Sequence, residues 1–196
     1  MLGSGLSTPK WPIFFTPTLV SVIFRSRSQR RVLLPLGFAK GAEKAIAVDI
    51  DDAYLQMVPE VKTHLEFHDL DIVKANVANQ NDPADIVLAA ALVHWIYSCT
   101  ALFGCHDAIV EKLARLTNYM PIVEWIDLED SNIGFFHHTD WNKDAVSAPY
   151  DLSTFEQALT NNFKRYCYLG NISPTRRLYV RFQSRKVRRS WAPHLA

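Results

Sequence analysis

The sequence predicts an α/β domain: a mostly parallel β-sheet covered by helices, closed by a C-terminal antiparallel strand pair, with an incomplete or irregular N-terminal part. Three observations predict it. From Lys40 onward short β-branched runs alternate with longer helical stretches, the order expected when each helix returns the chain to lay down another parallel strand. Ala84 to Val93 is an almost uninterrupted apolar run introduced by Asp82, Pro83 and Asp85, and alternation vanishes where neither face of a strand meets water. Near the end, Tyr166 to Leu169 and Leu178 to Phe182 flank Gly170, Asn171, Ser173 and Pro174, a composition that folds two strands back on each other.

Each element follows from its own residues. Ala45 to Asp49 reads as a strand that breaks off into carboxylates, and Asp52 to Val58 starts a helix limited by Pro59, which has no amide hydrogen to give. Leu65 to Phe67 reads as the next strand, ending at Asp69 and Asp71. Ile109, Leu113 and Leu116 recur at helical spacing between His106 and Thr117, and Met120 to Ile126 supplies another strand. Residues 127–150 are polar and aromatic without periodicity. Ordinary connections have medians of about 4 to 6 residues, so this length predicts a lid or binding loop. Asp151-Leu-Ser-Thr opens a helix with Phe155, Leu159 and Phe163 on one face, its free amides capped by an Asp or Ser oxygen.

A chain of 196 residues, 48% of them hydrophobic, buries one sizeable core. The expected domain is 37–183, preceded by an irregular basic segment, 1–36, lying outside the fold, and followed by a basic tail, 184–196. The net charge of +1 conceals segregation: all twenty acids lie between Glu43 and Glu156, while the basic ends carry none. Such ends attract phosphate-rich partners or simply keep an acidic core soluble. The largely apolar stretch Trp11 to Phe24 spans fourteen residues, contains Pro12 and Pro17, and falls short of the roughly 20 that span a membrane. Cys99, Cys105 and Cys167 have no framework spacing, which predicts a reducing compartment such as the cytoplasm. The acid-free start, with Arg25, Arg27, Arg30 and Arg31, offers an organelle as the alternative.

Gly41-Ala-Glu-Lys-Ala-Ile-Ala-Val-Asp-Ile-Asp, Leu65-Glu-Phe-His-Asp-Leu-Asp-Ile and Ala84-Asp-Ile-Val-Leu-Ala-Ala-Ala-Leu-Val-His-Trp-Ile stand in an order that resembles the class I S-adenosylmethionine-dependent methyltransferase family. The resemblance covers about 37–183 and implies a Rossmann-like sheet that binds S-adenosylmethionine. It puts Asp49 on the ribose, and Asp71 or alternatively Asp69 on the adenine amino group. Ala89 and Ala90, with Ala91, line the methyl-donor pocket. One departure stands out: the family's Gly-rich loop belongs about 20 residues before Asp49. There the chain reads Phe24-Arg-Ser-Arg-Ser-Gln-Arg-Arg, with no glycine between Leu6 and Leu36. Leu2-Gly-Ser-Gly-Leu6 resembles part of that loop, which makes residues 7–31 read as foreign to the domain.

Each candidate has a plainer alternative. Asp49 is otherwise a solvated strand-end carboxylate, while Asp51 and Asp52 cap the following helix. His94 has the chemistry of a general base for an acceptor, or of a packed histidine. Glu124 and Trp125 end the fifth strand and face the ligand edge as substrate contacts. His137, His138 and Trp141, within Phe135-Phe-His-His-Thr-Asp-Trp, suit acceptor recognition or a packed loop. No metal site is expected, because adjacent histidines point apart in extended chain and the cysteines lack paired spacing. Cys99, Cys105 and His106 belong to the core and a helix start.

Methyl transfer needs donor and acceptor held in line and no metal or covalent nucleophile. The leading expectation is therefore S-adenosylmethionine-dependent methyl transfer to an unidentified acceptor, impaired if the Gly-rich loop is lost. Two rivals stand beside it. One is an NAD(P)-dependent oxidoreductase, which also places an acid after its second strand. The other is a non-catalytic protein that contacts RNA or acidic partners through Arg176, Arg177, Arg181, Arg185, Lys186, Arg188 and Arg189.

Overall fold

The computed structural model describes residues 18–23, 44–64, 70–99, 103–131, 133 and 149–181. Seven strands form one sheet in the order β3-β2-β1-β4-β5-β7-β6. They are β1 (Thr18–Ile23), β2 (Lys44–Asp49), β3 (Leu70–Lys74), β4 (Ala84–Ala90), β5 (Thr117–Ile126), β6 (Cys167–Ser173) and β7 (Arg176–Val180). The first five run parallel, and β7 lies antiparallel to both β5 and β6. The predicted sheet and its closing antiparallel pair are both present.

Among the described residues four helices accompany the strands: α1 (Asp52–His64), α2 (Val93–Cys99), α3 (His106–Arg115) and α4 (Leu152–Asn162). The main core lies between the sheet and α2, α3 and α4. Val48, Val87, Ala89, Val123 and Trp125 from the strands meet Ile96, Ile109, Leu113, Phe155 and Leu159 from the helices, all buried. Strand alternation sends Leu88, Ile122 and Val180 into a second buried cluster on the opposite face. This explains why Ile86 to Ala90 reads as continuously apolar. Asp151 caps α4 as expected, its Oδ1 accepting from the Thr154 amide at 2.9 Å.

Four expectations change. Thr18–Ile23, inside the segment read as lying outside the fold, occupies the middle of the sheet, with Val20 beside Ile46 on one side and Val87 on the other. Its sequence, Thr-Leu-Val-Ser-Val-Ile, is β-branched enough to be a strand, but the prolines and arginines around it mask that signal. Helix α1 continues through Pro59 to His64, because an exposed proline forfeits one hydrogen bond without ending the packing of Val58. The third strand begins at Leu70, and Leu65 to Asp69 lie outside the described residues. Finally, β6 continues past Gly170 to Ser173, and the reversal is made by Pro174 and Thr175. Gly170 has φ +135°, a conformation open to glycine, at a register shift that lets the strand continue.

Candidate functional site

The strand order reverses between β1 and β4, and in open α/β sheets ligands sit beyond the carboxyl ends of strands at such a point. Ile23 pairs with Ala90 there, and the pairing of Val22 with Val48 carries Ile23 alongside Asp49. Lys74 pairs with Asp49 from the other side. The carboxyl ends of β3, β2, β1 and β4 are therefore marked in turn by Lys74, Asp49, Ile23 and Ala90.

Asp49 is enclosed, with 2% of its surface exposed. Its Oδ1 accepts from the Asp51 amide at 2.8 Å, which turns the chain sharply off the strand. Asp51 Oδ1 in turn accepts from the Ala53 amide at 2.9 Å and starts α1. Ile50, between them, is an exposed large apolar side chain at the rim. It escaped the sequence reading because single exposed isoleucines are ordinary.

Asp71 does not reach this edge. It is the second residue of β3, pairs with Ile46, and makes an exposed ion pair with Lys44 at 2.7 Å at the amino-terminal side of the sheet. That hydrogen bond from Lys44 holds the Asp71 carboxyl below its ordinary pKa. The strand does not end at Asp71 but runs on to Lys74, which takes the carboxyl-end position. Asp69 lies outside the described residues. At the carboxyl end of β3 stands Lys74, ion-paired with Asp52 at 2.6 Å, and Asn76 Oδ1 is taken by the Ala78 amide. An ammonium has no acceptor for an adenine amino group. The residues fit the ribose end of a nucleoside, and the expected carboxylate at its base end is absent among the described residues.

Beyond β4 the chain turns at Ala91, the one non-glycine residue with positive φ, at 50°, among the described residues. Its amide donates to Glu124 Oε2 at 2.7 Å. Glu124 Oε1 accepts from Arg176 Nη1 at 3.0 Å, and Arg176 clasps Asp130 through Nε at 2.6 Å and Nη2 at 2.8 Å. Glu124, Asp130 and Arg176 are each no more than 5% exposed. Thr175 Oγ1 adds a bond to Asp130 Oδ2 at 2.7 Å. Burial acts to lower the Arg176 pKa, but its bonds to Asp130 and the charge of Glu124 outweigh it and raise the value.

Glu124 is thus committed to this network and is not presented to a substrate. Trp125 also departs from expectation. Its indole is 1% exposed, stacks on Tyr150 at 4.4 Å and on Phe155 at 4.9 Å, and donates to Asp127 Oδ1 at 2.7 Å. The alternation of β5 sends it into the helix-covered core. The methyl of Ala89 likewise packs in that core, and the methyl of Ala90 packs against the opposite cluster, so what β4 offers the edge is backbone.

His94 is the second residue of α2, 5% exposed, with its ring 5.6 Å from that of Trp95. His106 begins α3 in the core, as expected, its Nδ1 2.8 Å from Thr154 Oγ1. Burial pushes its pKa down to about 4, against the charges of Asp151 and Asp107. His137, His138 and Trp141 lie outside the described residues. Among the described residues no three His, Cys, Asp or Glu side chains gather as a metal site. No described helix is long and apolar enough to cross a membrane.

No family model matches the sequence, and no curated protein matches it. Solved structures do. The carbon methyltransferase CurJ superposes with a TM-score of 0.60 at 10% identity, over 87% of this chain and 49% of its own. Magnesium protoporphyrin IX methyltransferase from Synechocystis PCC 6803, solved with bound S-adenosylhomocysteine, gives 0.56 at 12% identity, over 86% and 74%. Monomeric WbdD gives 0.56 at 17% identity, over 84% of this chain. The chain spans 35% of WbdD's length. The chain has the fold of S-adenosylmethionine-dependent methyltransferases.

Proposed function

We propose that this chain binds S-adenosylmethionine at the carboxyl edge of its sheet and takes part in methyl transfer to an acceptor not yet identified. The observation that carries this is the enclosed carboxylate of Asp49 at the end of β2, one strand from the reversal of strand order. A carboxylate shielded from water is a strong acceptor for a pair of ribose hydroxyls. Ile50 beside it offers apolar surface to the flat face of a base. When bound, S-adenosylmethionine supplies a methyl group on a cationic sulfur. The chain's own part is to hold the ribose at Asp49, to shape the far side of the cleft with the β4 to α2 turn, and to have His94 behind that turn as the candidate proton acceptor.

The two rival readings fare differently. An oxidoreductase is disfavoured by the antiparallel β7 between β5 and β6, since the doubly wound dinucleotide-binding sheet orders its strands 3-2-1-4-5-6. The RNA-binding reading loses Arg176, which is buried and doubly paired, and Arg177, which pairs with Asp127 at 2.5 Å. Calorimetric titration with S-adenosylhomocysteine tests the proposal. The intact chain should bind, and Asp49→Ala should lose about 1 to 3 kcal/mol, roughly 5- to 150-fold in affinity. Equal affinity of the two proteins would remove Asp49 from the site, and no binding by either would reject the cofactor.

A further inference from the structure

The buried chain of charges behind the β4 to α2 turn has a geometry that ordinary core packing does not require. Ala91 holds a left-handed backbone conformation at φ 50°, which an alanine adopts at a cost. Its amide points to a carboxylate oxygen of Glu124, 33 residues later, at 2.7 Å. That carboxylate is fixed by Arg176, and Arg176 is fixed by the bidentate grip of Asp130 and the side-on bond of Thr175 to the same acid. The register explains the convergence. Arg176 opens β7 opposite Ile126, and Glu124 lies two residues back on the same face of β5. The network thus spans β5, the turn after it, and β7, and ends on a single amide at the carboxyl end of β4.

We propose that Glu124 and Arg176 are positioning residues, which hold the Ala91 turn in its left-handed form and so fix the edge of the cleft on which a ligand and His94 are set. The part concerning ligand rests on the S-adenosylmethionine reading above; the part concerning the turn does not. A charge-assisted bond to a buried amide is about twice as strong as a neutral one, so it can maintain a conformation that alanine disfavours. Arg176 is needed because a buried carboxylate without a cation beside it carries an uncompensated desolvation cost. Glu124 and Arg176 act through the backbone of Ala91, without touching the ligand.

Native-state hydrogen exchange tests the turn directly. Glu124→Gln keeps one acceptor for the Ala91 amide and loses the acceptor for Arg176, whereas Glu124→Leu loses both. Exchange over Ala91 to Trp95 should accelerate severalfold in the first variant and at least thirtyfold in the second, with β2 and β3 unchanged. An exposed ion-pair variant, Arg115→Ala, should leave the segment as it is. If the turn keeps its protection in Glu124→Leu, or loses it only in step with every other strand, the positioning role is overturned. Should Glu124→Leu fail to fold, Glu124→Gln and Arg176→Lys decide by the same reading. Titration with S-adenosylhomocysteine is the second arm, in which Glu124→Gln should bind about tenfold more weakly than the parent chain. Failure of the parent to bind rejects the cofactor and leaves the exchange result standing. Unchanged affinity of Glu124→Gln beside a loosened turn rejects the link from turn to ligand.

Discussion

Asp49 and Asp71 show how much depends on where along a strand a carboxylate falls. Both look alike as strand-end acids in the sequence. Asp49 ends β2 and is enclosed, whereas Asp71 lies near the start of β3 and pairs with Lys44 in water. Asp71→Ala should therefore change S-adenosylhomocysteine affinity by less than about twofold, since its pair with Lys44 is screened by water and lies away from the carboxyl edge. A tenfold loss would mean that β3 is misregistered. His106 makes a different prediction. Unfolded, a histidine takes its proton near pH 6.5; folded, His106 does so at about 4. The unfolded state binds more protons between those values, so stability is fully present above pH 6.5 and is lost as pH falls towards 4. The loss amounts to about 2 to 4 kcal/mol, and it should disappear in His106→Phe. Urea midpoints at pH 7 and pH 4.5 check this, and an unchanged slope in the variant would assign the acid sensitivity elsewhere.

Among the elements, the parts with strong periodicity were legible. Helices α3 and α4 lie where Ile109 and Leu113, and Phe155 and Leu159, recur, and Asp151 caps α4 in the expected manner. Asp151→Ala should cost about 1 kcal/mol, read as a lower melting temperature. Short strands were harder. The third strand was read as ending at Asp71 but runs on to Lys74, and Thr18–Ile23 was obscured by prolines and arginines on either side. Pro59 was read as a stop, yet α1 runs on to His64. An exposed interior proline costs a helix about 3 kcal/mol, so Pro59→Ala should raise the melting temperature. No increase would mean that the helix has already adapted to the missing amide hydrogen.

For the whole molecule, the sequence reads well wherever a side chain's place follows from one strand and poorly wherever it depends on which strands are neighbours. Asp49 is visible because an apolar run breaks into acids. Glu124 and Trp125 were read as one adjacent pair facing the ligand, but strand alternation sends Trp125 into the core and Glu124 towards Arg176. Arg176 was counted among the loose cations of a basic end. Only the antiparallel register of β7 on β5 brings it to Glu124, and nothing local in the sequence reports that register. Arg176→Met would leave two acids buried without their shared cation, at a cost of about 3 to 5 kcal/mol. Chemical unfolding measures that directly, and a loss below about 1 kcal/mol would place the guanidinium in water.

At the far margin of the sheet, β6 leaves Tyr168, Leu169 and Ile172 about half exposed on a strand with no charged residue. Such a margin invites another copy to zip on, and natural proteins discourage this by twisting or interrupting the outermost strand. Here the register slips twice, between Tyr168 and Gly170 and between Asn171 and Ser173. A straightened strand would present an even ladder of amides and carbonyls, and the two slips break that ladder.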